Sequence, residues 1–272
     1  MSTKGLPSWL AGRVTGPPLP SRKNLVFRVS WGGRSCAAKI FSRASKERAA
    51  TEYRVLGLCR ARRLPVPRPL LLRDGVVIMT WLRGRQAFEL VHAGLGGRGP
   101  ETTSAREKGY WMEEGMVQRL LDGVASWLAR FHRAFKWEVR RGDAMLKNFI
   151  YSRNVIYGID FEESVEGDPL ADVGQLCAHL LASGERFSPP LFRAAGYFAK
   201  SYWRHSGEDR SGELPEAVAA GLEHYAQYRR DGPLLRRQAL KIRRGGSGVS
   251  INIPSQTRTN YLSSVPKWHF LP

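Results

Sequence analysis

The stretch RRGDAMLKNFIYSRNVIYGIDFEE, residues 140–163, sets Asp143, Asn148 and Asp160 at uneven intervals among apolar residues. FIY (149–151) and VIYGI (155–159) are strand-like runs, and the Ser-Arg-Asn between them predicts a hairpin turn. With the turn centred near Asn154, residues whose numbers sum to about 308 face each other, and Asn148 and Asp160 are such a pair. Facing residues in an antiparallel ladder have Cβ atoms roughly 5 Å apart, close enough for both oxygens to hold one hard cation such as Mg²⁺. Asp143 lies in the loop entering the hairpin, where it can reach the same cleft as a base. An Asp or an Asn alone is commonly only a cap on a strand end. Three of them in this arrangement point to a site.

Upstream the chain reads as β-rich. WLAGRV (9–14), LVFRVS (25–30) and CAAKIF (36–41) predict three strands in an antiparallel meander, with SWGGR as a tight turn. SRASKERAATEYRVLGLCRARR predicts a helix that stops before LPVPRP, where two prolines forbid continuation. VVIMTWL (76–82) follows an RDG turn as a short buried strand, and GLGGRGPETTSAREKG (94–109) reads as a polar insertion. The clearest helix follows it: Met116, Leu120, Leu121, Val124, Trp127, Leu128, Phe131 and Phe135 recur at spacings of three, four and their sums. Past the hairpin come a helix from about 171 to 181 and further helices through 189–230. The division expected is an N-terminal lobe over 1–80, a mainly helical lobe over 81–230, and a basic, irregular tail over 231–272.

Composition narrows the function. The 272 residues are enough for one large domain or two small lobes. Cys36, Cys59 and Cys177 are too scattered for a disulfide framework or a zinc site, and no run approaches the roughly 20 apolar residues of a membrane span; a cytoplasmic protein is expected. The 43 Lys and Arg against 24 Asp and Glu give +19, a field that attracts polyanions. Seven basic residues and one acid fall within RRDGPLLRRQALKIRR, Arg229 to Arg244. A solvated surface is the alternative reading of that run.

The motifs resemble those of the protein-kinase-like superfamily, in the compact branch that includes small atypical kinases and the aminoglycoside and choline phosphotransferases. GDAMLKN is similar to that branch's Gly-Asp-x4-Asn catalytic loop, IDFE to its metal-binding Asp-Phe element, and GDPLADVGQL (167–176) to a Gly-Asp-Pro-x-x-Asp segment. Lys39 in AAKIF resembles the strand lysine that holds nucleotide phosphates, and Glu52 its helix partner. MTWL, with Met79 and Trp81, falls where the hinge between lobes belongs. The resemblance implies an α+β, bilobal fold with a small antiparallel-sheet N-lobe and a helical C-lobe. It implies ATP and Mg²⁺ as cofactors, with Asp143 as base, Asn148 and Asp160 as metal ligands, and Lys39 on the phosphates. Asp172 is expected to brace the catalytic loop rather than touch substrate. Two departures stand out. Arg141 replaces the usual histidine, as scaffold or as a charge facing substrate, and the phosphate-covering loop TGPPLPSRKN has one glycine and three prolines.

Asp172 follows Asp160 by only twelve positions, leaving no room for a long peptide-binding activation segment. About 60 residues between Trp81 and Asp143 are fewer than the antibiotic phosphotransferases use for their helical pocket. Arg140, Arg141, Arg236, Arg237, Arg243 and Arg244 are the expected track for an RNA backbone. Size and basicity resemble small archaeal kinases of a tRNA ribose 2′-hydroxyl. An atypical Ser/Thr protein kinase of ribosome or tRNA maturation is the second reading, and a small-molecule phosphotransferase the third.

Overall fold

The computed structural model describes residues 6–21, 23–95 and 114–245. The chain opens with a helical turn, α1 (Ser8–Ala11), followed by β1 (Leu25–Trp31) and β2 (Arg34–Ile40), helix α2 (Lys46–Ala61), then β3 (Pro69–Arg73) and β4 (Val76–Thr80). These strands form one antiparallel sheet in the order β1-β2-β4-β3. Gly32 and Gly33, both at positive φ, make the tight β1–β2 turn, a geometry whose twist matches that of the flanking strands.

Three expectations need correction here. WLAGRV is not a strand: Leu10 is fully buried under the sheet by a helical turn, and only Val14 bridges β1, at Val29. The meander gains β3, which begins at a proline and lies at the sheet edge, where a missing N–H costs no ladder bond. A helix, α3 (Ala87–Gly94), follows the two-residue strand β5 (Arg85–Gln86), in a stretch for which the sequence suggested no element. The polar insertion falls almost wholly outside the described residues.

The second half is helical. Helix α4 (Glu114–Ala134) carries the predicted stripe, with Leu120, Leu121, Val124, Trp127, Leu128 and Phe131 buried. Next come β6 (Val139–Arg140), the hairpin β7 (Phe149–Ser152) and β8 (Val155–Gly158), and β9 (Val165–Glu166), which pairs with β6. Helices α5 (Leu170–Leu181), α6 (Pro189–Ser206), α7 (Leu214–Ala226) and α8 (Gly232–Arg243) complete the lobe. The segment expected to be an irregular tail therefore begins as a helix. Leu235, Ala239 and Ile242, at spacings of four and three, are buried in the main core beneath its arginines.

Alternation along β2 decides where Lys39 points. Cys36, Ala38 and Ile40 pack with Leu10 on the outer face, so Lys39 is delivered to the opposite face, against α2. The lobes are tied by the Leu64-Pro65-Val66 strap. The Pro65 carbonyl accepts the indole N–H of Trp127 at 2.9 Å and the Gly158 N–H at 3.1 Å, fastening the end of α2 to α4 and the hairpin.

Candidate active site

Lys39 and Glu52 meet as expected, Nζ to Oε2 at 3.2 Å, both buried. Lys39 also reaches Asp160 Oδ1 at 2.5 Å and Glu162 Oε2 at 2.8 Å. Burial alone would lower the Lys39 pKa, but the charges of Glu52, Asp160 and Glu162 more than reverse it, so the ammonium stays protonated. Burial likewise pushes the Asp160 carboxyl up, and the charge and hydrogen bond of Lys39 overcome it and hold Asp160 below its ordinary value. Glu52 does a second job: its Oε2 accepts the Phe161 N–H at 2.7 Å, which ties α2 to the segment carrying Asp160.

The hairpin turn is made by Arg153 and Asn154, both at positive φ, and the register sums to 307: Phe149 faces Gly158 and Ser152 faces Val155. The partner of Asn148 is thus Ile159, whose N–H donates to the Asn148 carbonyl at 3.0 Å, and the expected Asn148–Asp160 pair is off by one. Asp160, one residue beyond, has φ 68, a left-handed conformation that Asp adopts more readily than most residues. Asn148 uses its amide N–H to bond the Asp143 carbonyl at 2.9 Å and carboxylate at 3.0 Å, which leaves its amide oxygen as the free donor atom. Burial raises the pKa of Asp143, while Lys147 and that amide hydrogen bond oppose the rise.

The loop carrying Asp143 is held from below. Asp172 accepts the backbone N–H of Arg141, that of Gly142 at 3.0 Å, and a bond with His132 Nε2 at 3.0 Å. His132 Nδ1 in turn meets the Tyr202 hydroxyl at 2.7 Å, and Gln175 Oε1 accepts the Ala144 N–H at 2.8 Å. Gly142 has φ 83 and lies so close to Glu163 that a Cβ would overlap its carbonyl. Only glycine fits there.

Arg141 is fully buried and belongs to this scaffold, which corrects its place in an RNA track. Its Nη2 donates to the carbonyls of Asn148, at 3.1 Å, and Ile159, and its guanidinium lies 4.6 Å from the Phe149 ring centre, 5.0 Å from Phe161 and 5.6 Å from Trp127. Arg243 is also committed: it forms two-pronged ion pairs with Glu216 and Glu223. Arg236, Arg237 and Arg244 are exposed on and just beyond α8, and Arg140 is half-buried against Gly167. Met79 is buried in β4, and Trp81 follows that strand half-buried, with Arg28 over its ring at 5.4 Å.

Sequence reasoning missed Glu162 and Glu163. Asn24 donates to Glu162 at 2.5 Å, and Lys23 and Arg48 pair with Glu163 at 2.9 and 2.6 Å. Their only local signal was adjacency to the Asp160-Phe161 pair. His132 and Gln175 lay too far from the loop in sequence to leave any. Glu52, Asp160 and Glu162 also bring three carboxylate oxygens within 4.8 Å of one another, a hard-oxygen set.

Residues 15–134 match the model of the phosphotransferase enzyme family, APH, a match that ends before the loop carrying Asp143. No curated protein matches the chain. Among solved structures, a protein of Ralstonia eutropha JMP134 described as an aminoglycoside phosphotransferase superposes with a TM-score of 0.57 at 15% identity, covering 87% of this chain and 88% of that one. The amicoumacin kinase hAmiN, in complex with AMP-PNP, Ca²⁺ and Ami, gives 0.50 at 16% identity over 86% of this chain and 89% of its own. The superpositions show that the chain has the fold of these two proteins, and residues 15–134 also match the sequence model of the phosphotransferase family.

Proposed function

We propose that this protein is a phosphotransferase that uses ATP and Mg²⁺ to phosphorylate a hydroxyl of structured RNA, with a tRNA ribose 2′-hydroxyl as the first candidate. The observation that carries the reaction is the convergence of Lys39, Glu52 and Asp160 beside the Asp143–Asn148 pair. The Asn148 amide oxygen and the Asp160 carboxylate are hard donors suited to Mg²⁺, which would neutralise charge on the phosphates. Lys39 would steady those phosphates, and Asp143 would orient the acceptor hydroxyl and take its proton.

Charge and connectivity support RNA as acceptor. The catalytic loop rests on Gln175, whose carbonyl accepts the Tyr225 hydroxyl at 3.3 Å. Tyr225 leads directly into Tyr228, 70% exposed, and then into Arg229, Arg230 and the basic face of α8. Arg229 is held by Asp231, but Arg230, Arg236, Arg237 and Arg244 are exposed and have no ion pair among the described residues, and beside an exposed ring they are the elements of a phosphate track with a base-stacking platform. Among the described residues no helix is long and apolar enough to cross a membrane, and the three thiols are free and buried, in keeping with a cytoplasmic protein.

A small hydroxylated cation is the second reading. It is favoured by the two antibiotic-kinase neighbours and by a cavity of about 430 Å³ lined by Trp137, Trp203, Glu138, Asp168 and Glu208. The test offers γ-labelled ATP and Mg²⁺ with total tRNA, a protein extract or an aminoglycoside panel, with Asp143→Ala as control. Label in tRNA that the variant fails to produce supports the first reading. Label only in protein or in antibiotic replaces the acceptor, and equal label with Asp143→Ala refutes the role of Asp143.

A further inference from the structure

A loop that covers phosphates ordinarily grips them with backbone N–H groups. Over Thr15–Asn24 that resource is depleted. Pro17, Pro18 and Pro20 have no N–H, and the N–H groups of Thr15 and Leu19 donate to the Arg28 and Val26 carbonyls at 2.8 Å. Asn24 gives its N–H to the Ser21 hydroxyl at 3.4 Å. Lys39 lies deeper, with Glu52, Asp160 and Glu162 around it at 3.2, 2.5 and 2.8 Å.

One cation of the loop is aimed at the catalytic residues. Lys23 Nζ is tethered to Glu163 Oε1 at 2.9 Å, and the backbone of Glu163 packs directly on Gly142, the residue before Asp143. Glu163 takes one of the three Lys23 donors, its Oε1 being shared with Arg48 at 2.6 Å. Burial lowers the Lys23 pKa, but Glu163 by hydrogen bond and charge, then Asp143 and Glu162 by charge, raise it on balance; the ammonium therefore feels the catalytic carboxylate.

We propose that Lys23 binds the terminal phosphate of the nucleotide, in place of the backbone N–H groups lost at Pro17, Pro18 and Pro20 and used within the loop at Thr15, Leu19 and Asn24, with Glu163 as the residue that positions it. This inference rests on the ATP-dependent reading above. Because the terminal phosphate is the one that departs, Lys23 neutralises charge where transfer occurs, whereas Lys39 lies on the side of Glu52 and Asp160.

The experiment is calorimetric titration of the full chain with AMP-PNP and with ADP, each with Mg²⁺, for the wild type, Lys23→Ala and Lys23→Arg. A charge-assisted bond to one phosphate predicts that Lys23→Ala weakens AMP-PNP binding by about tenfold or more. ADP affinity should stay within about twofold, and Lys23→Arg should recover part of the loss. Equal weakening of both nucleotides, or of neither, overturns the role of Lys23 while leaving ATP use intact. A wild type that binds neither nucleotide overturns the ATP reading, and this inference with it.

Discussion

Replacing Arg141 by Met should separate stability from catalysis. The guanidinium makes two charge-assisted hydrogen bonds, to the Asn148 and Ile159 carbonyls, with a longer contact of 3.4 Å to the Asp160 carbonyl that adds little, and lies against three aromatic rings. At about 1.5–3 kcal/mol per bond and about 2 kcal/mol for the rings, these amount to roughly 5–8 kcal/mol. Against them stand several kcal/mol for desolvating a fully buried ion, and Nε and Nη1 have no partner among the described residues. The two sides nearly cancel, and Met fills much of the same space. Arg141→Met should therefore change stability by no more than about 2 kcal/mol, a Tm shift within roughly 8 °C for a chain of this size. Turnover should suffer far more. The carbonyls that Arg141 holds belong to Asn148 and to the residue before Asp160, and a displacement of about 1 Å there costs on the order of 100-fold in rate. Arg141→Lys should be as impaired as Met, because an ammonium lacks the planar fork. Thermal denaturation and labelled-phosphate turnover on the same preparations read both quantities. Full turnover in a folded Met variant would refute the positioning role, and a far larger loss of Tm would refute the near-cancellation.

Three other outcomes are expected. Lys147 opposes the burial that raises the Asp143 pKa, so Lys147→Ala should move the acid limb of the kcat/KM–pH profile to higher pH; an unmoved limb separates Lys147 from the base. His179 is fully buried with its pKa lowered by burial from 6.5 to about 3, so the folded state keeps it neutral while the unfolded chain takes up a proton below 6.5. Its contribution is whole above 6.5 and is lost at about 1.4 kcal/mol per pH unit as pH falls toward 3, a slope that denaturant titration should find reduced in His179→Leu. Neutralising Arg236, Arg237 and Arg244 to Gln should lower the salt slope of tRNA binding by about 2–3, and an unchanged slope removes α8 from the track.

The loop and hairpin carrying Asp143, Asn148 and Asp160 were legible because their spacing is local. Asp143, Asn148 and Asp160 sit on one loop and one hairpin, and the turn between the strands announces itself through Arg153 and Asn154. The register was misjudged by one residue because a turn signal locates the centre only to within a residue, while side-chain facing alternates at every step. Arg141 was ambiguous for a different reason. Its burial depends on Trp127, Phe149 and Phe161, which come from α4, β7 and the segment after β8, and no local pattern reports such a convergence. Helix α8 was hidden by its own charges: the arginines drew attention to solvent, although Leu235, Ala239 and Ile242 carried a helical period. In α1, Leu10 follows the packing available beneath the sheet rather than the β-like look of its neighbours.

Charge pairing bears on the acceptor more directly than net charge does. Eight acidic residues among those described hold cationic centres in place: Glu52, Asp160 and Glu162 around Lys39, Glu163 on Lys23 and Arg48, Asp168 and Glu213 on Arg210, Glu216 and Glu223 on Arg243. Each such pair subtracts an arginine or lysine from the field a ligand meets, which is why Arg243 leaves the proposed track although its neighbours remain. A polyanion responds to the unpaired remainder on one face, whereas a small cation requires carboxylates that are not already neutralised. Around Lys39 the three carboxylates are already engaged by the lysine, and Asp168 is engaged by Arg210. Glu138 and Glu208, at the cavity beside β6, are then the groups on which the small-cation reading has to rest. The arginines on and beyond α8 carry the RNA reading, and the two acceptors therefore make demands on different faces of the same lobe.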